Sequence, residues 1–205
     1  MITQAVYIDD IIGEVVASTS NAVMNKSLPV LQQKSLLQTI QANETAALGS
    51  SLIQQIRYSK SSFDELVETL SQADKSGEER YNKYPLIHLV QDMTIERGND
   101  IGIFGTANIN IIFIHQSMQT YKIDDRDAMV FKPVLWPMYY MFMEQLKLSF
   151  WVGDSWDITG EFKHRVIKKA FWGSRHLQGS QNVLNDFVDA LEIQNLQLKI
   201  NYSNC

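Results

Sequence analysis

The stretch Gly105-Thr-Ala-Asn-Ile-Asn-Ile-Ile-Phe-Ile-His-Gln116 changes character halfway along. Its first half alternates, with Asn108 and Asn110 on one face and Ala107, Ile109 and Ile111 on the other. From Ile111 to Ile114 every residue is apolar. Side chains of a strand repeat every second residue, so Ile112 and Ile114 continue the face that began as Asn108 and Asn110. That face must be solvated at one end and covered at the other. What covers it decides whether the chain closes on itself or needs a neighbour.

The segments around this strand set the fold class. Asp9 and Asp10 precede Ile11, Ile12, Val15, Val16 and Val23 at helical spacing, with acids where the helix dipole favours them; this predicts a helix over about 9–24. Residues 25–60 are rich in Gln, Ser, Ala and Asn and carry a weak helical stripe, which reads as an insertion or extension within the domain. Ser62 and Glu65 have capping-box spacing, so a helix is expected from Phe63 to near Ala73. Tyr84-Pro85 opens a strand with Leu86, His88 and Val90 on one face and Ile87 and Leu89 on the other. Glu96-Arg-Gly-Asn-Asp is a turn, and the long strand follows it.

Asp124, Asp125 and Asp127 begin another helical pattern. Pro133 and Pro137 fall inside it, which predicts a break near Lys132 and a helix over about 133–148 with a bend near Trp136. Phe162 to Lys169 is a candidate strand, residues 171–186 a Gly/Ser/Asn-rich loop, and Asp186 to Ile200 a closing strand. The apolar phase of that last strand slips at Asn195, where a β-bulge is expected. No regular βαβ alternation runs through the chain. The expected architecture is a single α+β domain over 1–205: a small, mainly antiparallel sheet with helices packed on one face, plus an N-terminal helical extension.

Composition bounds the function. The 205 residues are 45% apolar and 20% charged, ordinary values for a folded protein with a sizeable core. A net charge of −5 and a pI near 5.3 argue against a general nucleic-acid binder. Cys205 is the one cysteine, so no disulfide can form within these residues. The start, MITQAVYIDDII, has acids where a signal peptide would be apolar. The greasiest run, Val134 to Met143, is half the roughly 20 residues that cross a bilayer, so a soluble protein with no membrane partner is expected.

No set of residues reads as catalytic, cofactor-binding or metal-binding. His88, His115, His164 and His176 lack ligand spacing. Asp124, Asp125 and Asp127 lack the glycine and terminal glutamate of a calcium loop and read as helix caps. Asp154 and Asp157 have no nucleophile nearby, and Ser174 and Ser180 lack a nucleophile elbow. Lys163, Arg165, Lys168, Lys169 and Arg175 form a basic patch next to Phe171 and Trp172. Lys163, Arg165, Lys169 and Arg175 are candidates for a phosphate-facing or partner-facing surface, with a solvated or subunit-facing strand as the plainer account.

Three segments suggest a family: Tyr84-Pro-Leu-Ile-His-Leu-Val-Gln-Asp92, Gly105 to Ile114, and the pair Phe131-Lys-Pro-Val-Leu-Trp-Pro-Met-Tyr139 with Asn185-Asp-Phe-Val-Asp-Ala-Leu-Glu-Ile193. Their order over about 80–200 resembles the tail-terminator or neck class of structural proteins in long-tailed bacteriophages and prophages. The resemblance implies an N-terminal helix, a small antiparallel sheet, a helix packed on it and a final strand. It also implies a non-enzymatic virion protein with no cofactor, present in host cytoplasm during assembly. Its partners would be copies of itself in a ring, commonly a hexamer, the tail tube protein, and neck or head-completion proteins. DNA could pass through such a ring without sequence-specific contact. Ile112, Ile114, Phe171 and Trp172 are then the candidate subunit-interface residues. The alternative is a small enzyme or ligand-binding protein with a pocket around His115, His164 and the Trp136 helix.

Overall fold

A computed structural model describes residues 7–24, 56–73, 83–97, 104–152, 162–172 and 186–201. The chain forms helix α1 (Ile8–Met24), strand β1 (Arg57–Ser61), helix α2 (Phe63–Ala73), and the long strands β2 (Leu86–Arg97) and β3 (Phe104–Gln116). Next come a helical run made of α3 (Ile123–Arg126), a π-helical segment (Asp127–Leu135) and α4 (Trp136–Leu148), then strands β4 (Arg165–Lys169) and β5 (Val188–Asn201). The five strands form one sheet in the order β1-β2-β3-β5-β4. β1 runs parallel to β2, and the other three neighbouring pairs are antiparallel. The fold is α+β with a mainly antiparallel sheet, as the sequence predicts.

The first face of the sheet carries the larger core. Ile87 and Leu89 of β2, Ala107, Ile109, Ile111 and Phe113 of β3, and Leu191, Ile193, Leu196 and Leu198 of β5 are all buried there. Above them lie α1, through Ile8, Ile11, Ile12, Val15 and Val16, and the long helical run, through Phe131, Val134, Met138 and Phe142. Phe113 meets the ring edges of Tyr139 and Phe142 at centroid distances of 6.2 and 5.5 Å.

The second face answers the question raised by β3. β1, α2 and β2 make one parallel crossover, which the absence of a regular βαβ pattern concealed. Parallel neighbours cannot be joined by a tight hairpin, and a helix in the connection packs back on the sheet. α2 does so through Leu66, Val67 and Leu70, which cluster with Leu86, Ile112, Ile114, Val188, Ala190, Tyr84 and Trp172. Each large aliphatic side chain buried this way contributes about 2 kcal/mol. The cover stops short of the other end. There Thr94, Thr106 and Gln197 are exposed and Asn108 and Asn110 half-exposed. The change within β3 thus marks the margin of α2.

α2 begins with the predicted capping box. The Ser62 amide donates to Glu65 Oε2 at 3.0 Å and the Glu65 amide donates to Ser62 Oγ at 3.4 Å. The predicted bulge is also present. Ile109 pairs with Leu196 and Ile111 with Ile193, so Asn110 faces two residues of β5. Asn195 takes up the extra length at φ 54°, and its amide donates to Asn110 Oδ1 at 2.9 Å. A β-branched residue is strained in this left-handed conformation, and asparagine tolerates it. Asn195→Val is expected to cost about 1–2 kcal/mol and Asn195→Gly well under 1, read as midpoint shifts in urea unfolding.

Helices pack on both faces of the sheet, not on one, because α2 returns over the second face, and two further expectations are corrected. Residues 57–61 belong to a strand, not to a helical stripe. Arg57-Tyr-Ser-Lys-Ser has no apolar alternation because β1 is an edge strand with neither face deeply buried. The helix does not break at Lys132. Pro133 lies inside the π-helical segment, and backbone angles stay helical from Arg126 through Trp136. A π turn is wider by one residue, as in the bond from the Trp136 amide to the Phe131 carbonyl. That width relieves the proline ring's clash with the preceding turn, while Pro137 falls in the first turn of α4. The turn expected at 96–100, the loop at 171–186 and most of the insertion at 25–60 fall largely outside the described residues.

Among the described residues no helix is long and apolar enough to cross a membrane.

Candidate functional site

Ile112, Ile114 and Trp172 do not offer the surface expected of them. Ile112 is 4% exposed, Ile114 0% and Trp172 1%, all beneath or beside α2 of the same chain. Trp172 meets the edge of the Phe63 ring at 5.0 Å, and its indole N–H donates to Glu192 Oε1 at 2.8 Å. These residues are corrected from candidate interface to internal core. The sequence could not show this, because a lid from α2 and a lid from a neighbour leave the same pattern on β3. Phe171 is half-buried, at φ 54°, with its ring 3.5 Å from the Arg126 guanidinium carbon.

That contact belongs to a buried polar cluster that the sequence did not reveal. Arg126, at the end of α3, is 1% exposed and ion-pairs with Asp189 of β5, which is 0% exposed. Its guanidinium also donates to Ser117 Oγ at 2.8 Å, to the Met118 carbonyl at 2.9 Å and to the Tyr121 carbonyl at 3.1 Å. Asp189 Oδ1 further accepts the Phe171 amide at 3.0 Å. One guanidinium thus ties the end of β3, the start of the long helix, the start of β5 and the turn after β4. His115 is the cross-strand partner of Asp189. Among the described residues, His115 Nδ1 and Asp189 Oδ2 make no hydrogen bond.

His88 and His164 are satisfied within the fold, and His176 lies outside the described residues. Serine hydroxyl and carbonyl partners fix the His88 tautomer: Nδ1 accepts from Ser59 Oγ at 2.8 Å, and Nε2–H donates to the Ser61 carbonyl at 3.2 Å. His164 donates from Nδ1 to the Phe162 carbonyl at 2.6 Å and accepts from the Tyr139 hydroxyl at 2.7 Å. Burial pushes His88 and His115 from 6.5 down to about 4, because the imidazolium loses its water. Both are therefore neutral in the fold while the unfolded chain still protonates near 6.5. Stability is full above that pH and falls as pH drops from 6.5 towards 4. At pH about 4.5 each histidine is expected to remove about 2 kcal/mol, measured by urea unfolding across the range, and His88→Asn should flatten the slope.

The basic patch divides between the two faces. Lys168 turns to the first face and ion-pairs with Asp127, while Lys169 turns to the second and reaches Glu192 Oε1 at 2.8 Å. Arg165 is exposed and shares the second face with Lys169; Lys163 is exposed just before the strand. Arg175 lies outside the described residues. Asp125 acts as the expected cap, accepting the Lys122 amide at 3.0 Å.

A cleft of about 330 Å³ opens on the second face beside α2, lined by Phe63, Val90, Asn110, Ile112, Glu192, Ile193, Gln194 and Asn195. It includes none of the histidines expected to line a pocket. Glu192 at its side is held by Trp172, Lys169 and Gln194. Among the described residues no group of three or more His, Cys, Asp and Glu side chains is placed to hold a metal.

On the outer side of the first-face helices, α4 presents Tyr140 at 60% and Leu148 at 75% exposure, followed by Phe150 at 68%. Trp136 stacks on Tyr140 at 6.0 Å. Among the described residues Tyr7, Ile95, Ile123 and Met129 are also exposed, each outside α4.

No family model, no curated protein and no solved structure matches this chain.

Proposed function

We propose that this chain is a structural virion subunit of the tail-terminator or neck class, working as one member of a ring that caps the tail tube and joins it to the neck. The observation that carries the reading is the exposed Tyr140–Leu148–Phe150 stripe on α4 and the segment after it. Grouped large apolar side chains on the outside of a folded domain are contact surface. The arrangement of an N-terminal helix, a mainly antiparallel sheet, a helix packed on it and a final strand supports the same reading. The contact surface is now α4 and the segment after it, in place of the buried isoleucines.

Light scattering on purified protein over a range of concentrations, with electron microscopy and immunolabelling of particles, tests the proposal. The expected result is a closed oligomer, or a monomer that joins particles at the head-proximal end of the tail. A monomer at every concentration that is also absent from particles contradicts it.

A further inference from the structure

We propose that the α4 stripe of one copy seats in the second-face cleft of the next, so that copies join head to tail. This rests on the ring-subunit reading and specifies its contact. The stripe lies on the outside of the helix that covers the first face, and the cleft opens on the second. A contact joining them buries a different patch on each partner. It leaves one stripe and one cleft unused in any pair, and therefore propagates to a ring or a filament.

The chemistry of the two patches is complementary. Phe63 and Val90, both half-buried, give the cleft an apolar side that suits Tyr140 and Leu148. Arg165 stands at the rim: it is the cross-strand partner of Gln194, which lines the cleft, and it is exposed. Cross-strand partners carry their Cβ atoms about 5 Å apart on one face. On the stripe the acid is Glu144, four residues from Tyr140 and four from Leu148, with its side chain 63% exposed. Its 3.0 Å ion pair with Lys147 is a surface contact one helical turn long, worth little, and leaves Glu144 able to turn to Arg165.

The sheet edges point the same way. β1 carries Arg57 and Lys60, and β4 carries Arg165, Lys168 and Lys169. Lys60, Lys168 and Lys169 are ion-paired to Asp9, Asp127 and Glu192, so Arg57 and Arg165 are left to oppose edge-to-edge pairing between copies.

The test is a charge swap in the full chain. Glu144→Arg and Arg165→Glu are each expected to weaken self-association at least about tenfold, and the two together to restore it. A mixing experiment isolates the head-to-tail character. Leu148→Asp spoils the stripe and Val90→Arg spoils the cleft. Each should be monomeric alone, and an equal mixture should form a one-to-one dimer and nothing larger. Circular dichroism checks that each variant is folded. Wild-type chains that assemble while these variants assemble equally well, or a swap that restores nothing, overturn the contact and leave the ring reading standing. Wild-type chains that never associate and are absent from particles overturn both.

Discussion

Arg126→Met is expected to cost about 3–5 kcal/mol, a large share of the roughly 5–15 kcal/mol that holds a typical domain folded. The size follows from what is left behind. Asp189 is fully buried and one of its two carboxylate oxygens makes no hydrogen bond among the described residues. Without the guanidinium, the other oxygen keeps only the Phe171 amide. A buried carboxylate in that state either remains charged at high cost or takes up a proton. Replacing both partners, as in Arg126→Met with Asp189→Leu, removes the stranded charge and should recover much of the loss. Urea unfolding of the two singles and the double measures the coupling. Two additive singles would mean that the ion pair does not hold this corner of the fold together.

Val67→Asp is the second large effect, again about 3–5 kcal/mol. Val67 is 0% exposed and sits at the centre of the contact between α2 and the sheet. A carboxylate there loses its water against apolar side chains, so α2 must lift or the acid must be neutralised. The loss should be local first. Amides of α2 should exchange fast, while those of β3 and β5 in contact with the first-face core stay protected. Glu68→Ala, one residue away on the exposed side, should stay within about 0.5 kcal/mol of the parent. Equal loss of protection across both faces would mean that the two cores unfold as one unit.

Elements with strong local signals were legible in the sequence. The Ser62–Glu65 box, the acid-capped α1, the alternation of β2 and β3 and the phase slip at Asn195 each leave a mark set by a few neighbouring residues. β1 was not legible, because a short polar edge strand shows no period; its partner fixes it. Pro133 misled, because the usual cost of proline assumes α-helical spacing, and the π turn removes that premise. The Arg126–Asp189 cluster joins residues 63 positions apart, so no local pattern announces it. The strand period showed that Ile112 and Ile114 need a cover but not which element supplies it. The cover of Ile112, Ile114 and Trp172 comes from α2, an element whose destination depends on the parallel crossover.

Thiol labelling of single-cysteine variants, made in a Cys205→Ser background at a dilution where the protein is monomeric, tests most directly whether α2 seals the isoleucine end of the second face. Ile114→Cys should resist labelling until the protein is unfolded, and Thr106→Cys, eight residues along the same strand face, should react at once. Rapid labelling of both in the folded monomer would contradict a lid supplied by the chain itself and return that surface to a neighbouring subunit.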